Sequence, residues 1–176
     1  MAERLVRSRR IYDGRVISLR VDEVALPSGR TATREIVEHR GAVAVVPVTP
    51  QGDVMLVRQY RGATGGTLLE IPAGTLEVGE DAPHALQREL AEEIGMRAGR
   101  VQHLATFYPS PGFLAELVYV FLARDLTPHR LQAEEEDLEV VRLPLPDARA
   151  MVNRGEIRDA KSIIGLLLAG EIIAGR

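Results

Sequence analysis

The chain has 176 residues, 45% of them hydrophobic, a formal net charge of -3 and no cysteine. That length and apolar content suffice for one core without covalent staples, and the mild negative charge argues against nonspecific nucleic-acid binding. The absence of cysteine excludes disulfides and thiolate metal sites. The opening stretch MAERLVRSRR has no apolar segment of the secretory kind, so a cytoplasmic location is expected.

In chain order, residues 5–12, 16–26 and 31–38 alternate apolar and polar positions and read as three strands, broken at Asp13-Gly14 and Pro27-Ser28-Gly29. They form a small antiparallel meander with one apolar face, which must pack on something larger. Residues 42–48 are a near-continuous apolar run, the pattern of a strand buried on both faces. Thr49-Pro50-Gln51-Gly52-Asp53 then turns into residues 54–59 as the next hairpin. The glycines of residues 62–66 lack P-loop spacing and read as a plain hairpin loop before Leu68-Leu69-Glu70-Ile71-Pro72-Ala73-Gly74.

A helix is expected over residues 82–94, with Asp81 as N-cap, Pro83 in the first turn and Gly95 as the left-handed C-cap. Leu86, Leu90 and Ile94 form its apolar stripe, flanked by Ala85. Glu89 and Glu93 lie one turn apart with Glu92 between them, so three carboxylates can converge on one hard cation, Mg2+ or Mn2+. Taken alone, such a run also reads as a solvated acidic face. Beyond the helix, residues 101–107 and 116–123 read as strands flanking the proline-rich loop Tyr108-Pro109-Ser110-Pro111-Gly112-Phe113. Residues 138–143 read as the last strand, and residues 146–153 and 159–174 as closing helices. The apolar run 163–173 is too short to span a bilayer and contains Glu171, so no membrane association is expected.

The acidic helix belongs to a longer pattern. Gly74, Glu80, Arg88, Glu89, Leu90, Glu92, Glu93, Gly95 and Met96 fit G-x5-E-x7-R-E-U-x-E-E-x-G-U, with U aliphatic or Met. The chain thereby resembles the Nudix hydrolases, and many fixed positions over so short a stretch make chance agreement implausible. The resemblance extends to Arg34 through Ala44 (REIVEHRGAVA), to Arg58-Gln59-Tyr60-Arg61, to the E-x-P-A-G stretch at Glu70 and to the loop bearing Pro111, and there it is with the ADP-ribose pyrophosphatase subfamily. It implies an α/β fold, a Nudix-type α/β/α sandwich with a mixed sheet over residues 40–176, plus the N-terminal antiparallel β-meander over residues 1–39.

The resemblance also implies an activity and a site. The expected reaction is Mg2+-dependent hydrolysis of ADP-ribose to AMP and ribose 5-phosphate. A nucleotide sugar such as GDP-mannose, or a dinucleotide, is the alternative substrate, and a non-catalytic ADP-ribose sensor is the reading outside enzymology. Divalent metal is assigned to Glu89, Glu92, Glu93 and the Ala73 carbonyl. Arg88 and Glu80 are assigned to an orienting ion pair. In the acidic run before residue 138, Glu134 is the preferred general base and Glu136 a further ligand. Substrate contacts are assigned to Arg34, Arg61, Glu70, Pro111 and Glu116. Arg34 and Arg61 suit phosphate through their forked donors, although by residue type alone either reads as a surface charge. The same resemblance implies a homodimer through the N-terminal sheet, whereas the apolar face of that sheet is equally satisfied by packing on its own chain.

Overall fold

A computed structural model describes residues 2–131 and 138–175. The chain divides into two units, one comprising Met1–Gly41 and Tyr108–Leu117, the other Ala42–Phe107 and Val118–Arg176.

In the first unit, β1 (Arg4–Asp13), β2 (Ile17–Ala25) and β3 (Thr31–His39) form the expected antiparallel meander in the order β1-β2-β3. The turn after β2 needs a left-handed residue, which Gly29 supplies at φ 82°. The proline-rich loop belongs to this unit because it pairs with β3: the Val37 amide donates to the Phe113 carbonyl at 2.8 Å, and the Ala115 amide donates to the Val37 carbonyl at 2.9 Å. Every residue of β1 is exposed, and Leu5, Val6, Ile11, Tyr12, Val16 and Ile17 are among the large apolar side chains left uncovered in the single chain.

The second unit contains β4 (Ala42–Pro47), β5 (Asp53–Arg61), β6 (Gly66–Glu70), β7 (Ala73–Thr75), α1 (Ala82–Glu93), β8 (Met96–Phe107), β9 (Val118–Pro128), β10 (Glu139–Pro144), α2 (Leu145–Asn153) and α3 (Ala160–Ile173). A four-stranded mixed sheet has the order β7-β4-β9-β8, with β4 parallel to β9 and the other pairs antiparallel. A three-stranded antiparallel sheet has the order β10-β5-β6.

The all-apolar β4 lies between two cores because successive side chains of a strand point to opposite faces. Its odd positions Val43 and Val45 pack with Ala85, Leu86 and Leu90 of α1. Its even positions Ala44 and Val46 pack with Leu166 and Ala169 of α3. Helices therefore cover both faces, as the α/β sandwich requires. The hairpin expected between β4 and β5 does not form: the chain turns at Thr49, but only the Val48–Val54 bridge joins the two strands, which then diverge into different sheets. Both runs are apolar on both faces, so each takes a central place, β4 between β7 and β9 and β5 between β10 and β6. Hydrophobicity alone does not tell such strands which neighbours to choose.

Candidate active site

The acidic helix forms as its sequence dictates. The Asp81 carboxylate accepts the His84 amide at 2.9 Å, a proline occupies the first turn, and Gly95 takes φ 68° just past the end. Leu86 and Leu90 are fully buried, and each contributes roughly 2 kcal/mol of apolar transfer free energy toward fixing the helix on the sheet. With that stripe facing inward, Glu89 and Glu93 fall on the side that meets β7.

There the structure sets two of the expected metal residues, Glu89 and Glu93, against the Ala73-Gly74 backbone. The Glu93 carboxylate accepts the Ala73 amide at 3.0 Å. The Glu89 carboxylate lies over Gly74, so closely that a Cβ at that position would sit 1.8 Å from its Oε1; only glycine leaves that space. Arg88 gathers the remaining groups. It donates Nε and Nη2 to the two oxygens of Glu80 at 3.0 and 2.9 Å, which is the expected ion pair, and its Nη1 donates to Glu89 at 2.7 Å and to Glu92 at 3.1 Å.

One guanidinium therefore serves three carboxylates. Glu89 is 7% exposed, and burial pushes its carboxyl up to about 7 despite the pull of Arg88. A buried carboxylate short of positive charge, beside a second carboxylate and a glycine that makes room, is a donor set suited to a hard divalent cation. Among the described residues, no three acidic or histidine side chains converge tightly enough to hold a cation as they stand. Arg88 Nη1 instead lies between Glu89 and Glu92 and bonds both.

A second buried carboxylate, Glu70, opens the strap of residues 70–74 whose far end is the Ala73-Gly74 backbone. Glu70 is 2% exposed; Arg61 donates Nε to its Oε1 at 2.9 Å and Nη2 to its Oε2 at 2.8 Å, and Lys161 donates Nζ to that same Oε2 at 2.5 Å. Burial pushes this carboxyl up, but the Arg61 hydrogen bonds and the Lys161 charge outweigh it and hold it at about 2. Asp159, N-cap of α3, accepts the Ser162 amide at 3.0 Å and lies 3.0 Å from Lys161 Nζ. The fully buried Ser162 hydroxyl accepts the Ile71 amide at 2.9 Å. Sequence reasoning assigned Arg61 and Glu70 to substrate but gave Lys161 no role at the site. The signal was there: Lys161 is the only lysine in a chain whose other basic residues of this kind are all arginine.

The remaining expected substrate residues belong to the first unit. Arg34 pairs with Glu3 through both its Nε and its Nη2. Pro111 lies in the loop bonded to β3, and Glu116 at the end of that loop has Oε1 3.6 Å from His39 Nδ1. Glu134 and Glu136 lie outside the described residues.

Family models match the chain in two places. The NUDIX domain matches residues 38–164, and the nucleoside diphosphate sugar hydrolase N-terminal domain matches residues 3–37. The chain belongs to the Nudix family. Among curated relatives of this Nudix protein, an ADP-ribose pyrophosphatase of Bacillus subtilis (strain 168) is 42% identical over 92% of this chain and 89% of its own length. A GDP-mannose pyrophosphatase of Citrobacter koseri is 38% identical over 74% of each chain. A crystal structure of an ADP compounds hydrolase superposes with a TM-score of 0.89, covering 99% of this chain and 96% of its own at 24% identity, which establishes likeness of fold. The carboxylate-bearing α1 lies within the matched NUDIX domain, and no helix among the described residues is long and apolar enough to cross a membrane.

Proposed function

We propose that the protein is a divalent-metal-dependent pyrophosphatase that hydrolyses ADP-ribose to AMP and ribose 5-phosphate. The observation that carries this reading is the placement of Glu89 and Glu93 of one helix against the Ala73-Gly74 backbone, with Glu92 tied to Glu89 through Arg88. The choice of ADP-ribose rests on the 42% identity to an ADP-ribose pyrophosphatase along nearly the whole chain.

The chemical difficulty is electrostatic, because a diphosphate diester repels the water oxygen that must attack it. Glu89, Glu92, Glu93 and the Ala73 carbonyl would hold the cation, with Mg2+ the expected ion. When bound, it supplies positive charge against the diphosphate oxygens and acidifies water. Arg88, braced by Glu80, sets the direction of the glutamates. Arg61, whose guanidinium plane is fixed by Glu70, presents donors to the nonreacting phosphate, and Arg34, Pro111 and Glu116 serve the nucleoside and distal groups. Glu134 takes the proton from the attacking water as the P–O–P bridge breaks and its oxygen leaves with one phosphate. Glu134→Gln is accordingly expected to lower kcat about 10²-fold or more with KM nearly unchanged. A larger loss in Glu136→Gln would move the base to that position.

The reading extends to a cytoplasmic homodimer in which a second copy covers the apolar side chains of β1 and β2. Light scattering at micromolar concentration should give twice the chain mass, and a monomeric mass would reject the dimer. GDP-mannose is the second substrate reading, favoured by the relative of that activity at 38% identity. One assay separates the two. Incubation with Mg2+ and each compound, with products resolved by chromatography, should yield AMP from ADP-ribose at a kcat/KM well above that for release of GMP from GDP-mannose. The reverse order would transfer the assignment.

A further inference from the structure

We propose that Lys161 is a positioning residue for substrate binding, holding Arg61 in place by fixing the buried Glu70 carboxylate that the two cations share. This rests on the reading of Arg61 as a substrate-binding residue given above. Arg61 is the last residue of β5, directly before the loop that carries Gly62 and Gly65, and its side chain is one-third exposed. A four-torsion side chain at such a place is costly to order unless something rigid grips it. Glu70 grips two of its nitrogens, as the distances of 2.9 and 2.8 Å record. Glu70 in turn needs a fixed rotamer, and Lys161 supplies the contact that sets it, at 2.5 Å on the oxygen that Arg61 Nη2 also uses.

The anchor behind Lys161 is firm. Asp159 binds Lys161 with one oxygen and binds both the amide and the hydroxyl of Ser162 with the other. Ser162 accepts the Ile71 amide, so consecutive residues of the first turn of α3 hold consecutive residues of the strap, 161 to 70 and 162 to 71. Behind that turn, Leu166 and Ala169 are fully buried in the core. Gly165 lies so close to the sheet that a Cβ there would come 2.9 Å from Val46 and 3.0 Å from Ile71. The chain of contacts runs from packed helix to Lys161 to Glu70 to Arg61. Charges alternate along Asp159, Lys161, Glu70 and Arg61, so the array is neutral and carries its own compensation. Arg61 alone already satisfies both Glu70 oxygens, which leaves orientation as the function that Lys161 adds.

The test is a double-mutant cycle in the full-length protein with ADP-ribose and Mg2+, measured well below the melting temperature of every variant. K161M keeps the length of the side chain and removes its charge. It should raise KM about tenfold with kcat within about twofold, the signature of lost alignment of a ground-state contact. R61A should raise KM at least as much, and K161M/R61A should match R61A alone, because Lys161 acts through Arg61. Additive effects would place the action of Lys161 elsewhere and overturn the proposal, as would a K161M protein of lowered Tm and unchanged KM. An unchanged KM in R61A would remove the reading of Arg61 itself and the proposal with it. Should K161M fail to fold, the cysteine-free sequence offers a second route. K161C, alkylated while unfolded with 2-bromoethylamine and refolded, regains an ammonium at its only thiol; alkylation with iodoacetamide gives the neutral control. Wild-type KM with the ammonium and a raised KM with the amide support the proposal, and equal KM values overturn it.

Discussion

Glu70 and Glu89 are two buried carboxylates at opposite ends of one short stretch of function, and they differ in how their charge is met. Glu70 has two cations, with both oxygens bonded and its carboxyl held at about 2. Glu89 shares the single guanidinium of Arg88 with Glu80 and Glu92, and its carboxyl is pushed up to about 7. The comparison teaches that burial alone does not mark a functional acid. A carboxylate supplied with positive charge by the fold is satisfied within the chain, and one left short of it is the kind that the proposed cation site requires.

The sharpest way to break this contrast is to remove charge from the undersupplied cluster. Glu93→Gln keeps side-chain shape and an acceptor for the Ala73 amide, yet deletes one charge of the proposed metal site. Its turnover should fall about 10³-fold at saturating Mg2+ while its circular dichroism and Tm stay near wild type. Near wild-type kcat would dissolve the distinction between the two carboxylates.

The opposite outcome is expected at Glu70, where loss of charge should cost stability. Glu70→Gln leaves the partly buried Arg61 and Lys161 without the charge they share and should destabilise the protein by up to about 3 kcal/mol, read by denaturant unfolding at pH 7. The pH dependence follows from the sign of the shift. The folded value of about 2 lies below the ordinary 4.5, so the contribution of Glu70 is fully present above pH 4.5 and is lost as pH falls from there toward 2. At roughly 1.4 kcal/mol per pH unit this amounts to on the order of 3 kcal/mol, and the Glu70→Gln variant should show a flatter loss of stability over that window. A parallel decline in wild type and variant would contradict the assignment of Glu70 as a satisfied scaffold group.

Much of this was legible in the sequence, and the reason is local chemistry. Asp81, Pro83 and Gly95 mark the ends of α1, Leu86 and Leu90 mark its inner face, and the i, i+3, i+4 spacing of Glu89, Glu92 and Glu93 follows from helix geometry. Alternation and turn residues likewise placed the three strands of the meander. What stayed hidden depended on partners distant in sequence. The separation of β4 from β5 is set by which strands flank them, and the Glu70–Lys161 pair joins residues 91 positions apart. Arg88 drawing Glu89 and Glu92 together was likewise invisible, because the motif names the residues without their hydrogen bonds. The backbone pairing of the proline-rich loop with Val37, which makes it part of the N-terminal unit, was hidden for the same reason, its partner being distant in sequence.

A smaller effect sharpens the comparison from the side of the helix itself. Asp81→Ala removes the acceptor of the His84 amide and should cost about 1 kcal/mol, lowering Tm by roughly 2–4 °C. Turnover at 25 °C should be unchanged, because the glutamates lie on later turns held by the buried leucines. A large loss of activity would mean that the carboxylates depend on the helix start more than on its packing.

The most direct measurement is Mn2+ binding to the protein without substrate, followed by electron paramagnetic resonance of the free ion. Wild type and Glu70→Gln should bind Mn2+ with similar affinity, whereas Glu89→Gln and Glu93→Gln should each bind at least about tenfold more weakly. Equal affinity in all four proteins, or a loss confined to Glu70→Gln, would contradict the claim that the acidic face of α1 is where the cation binds.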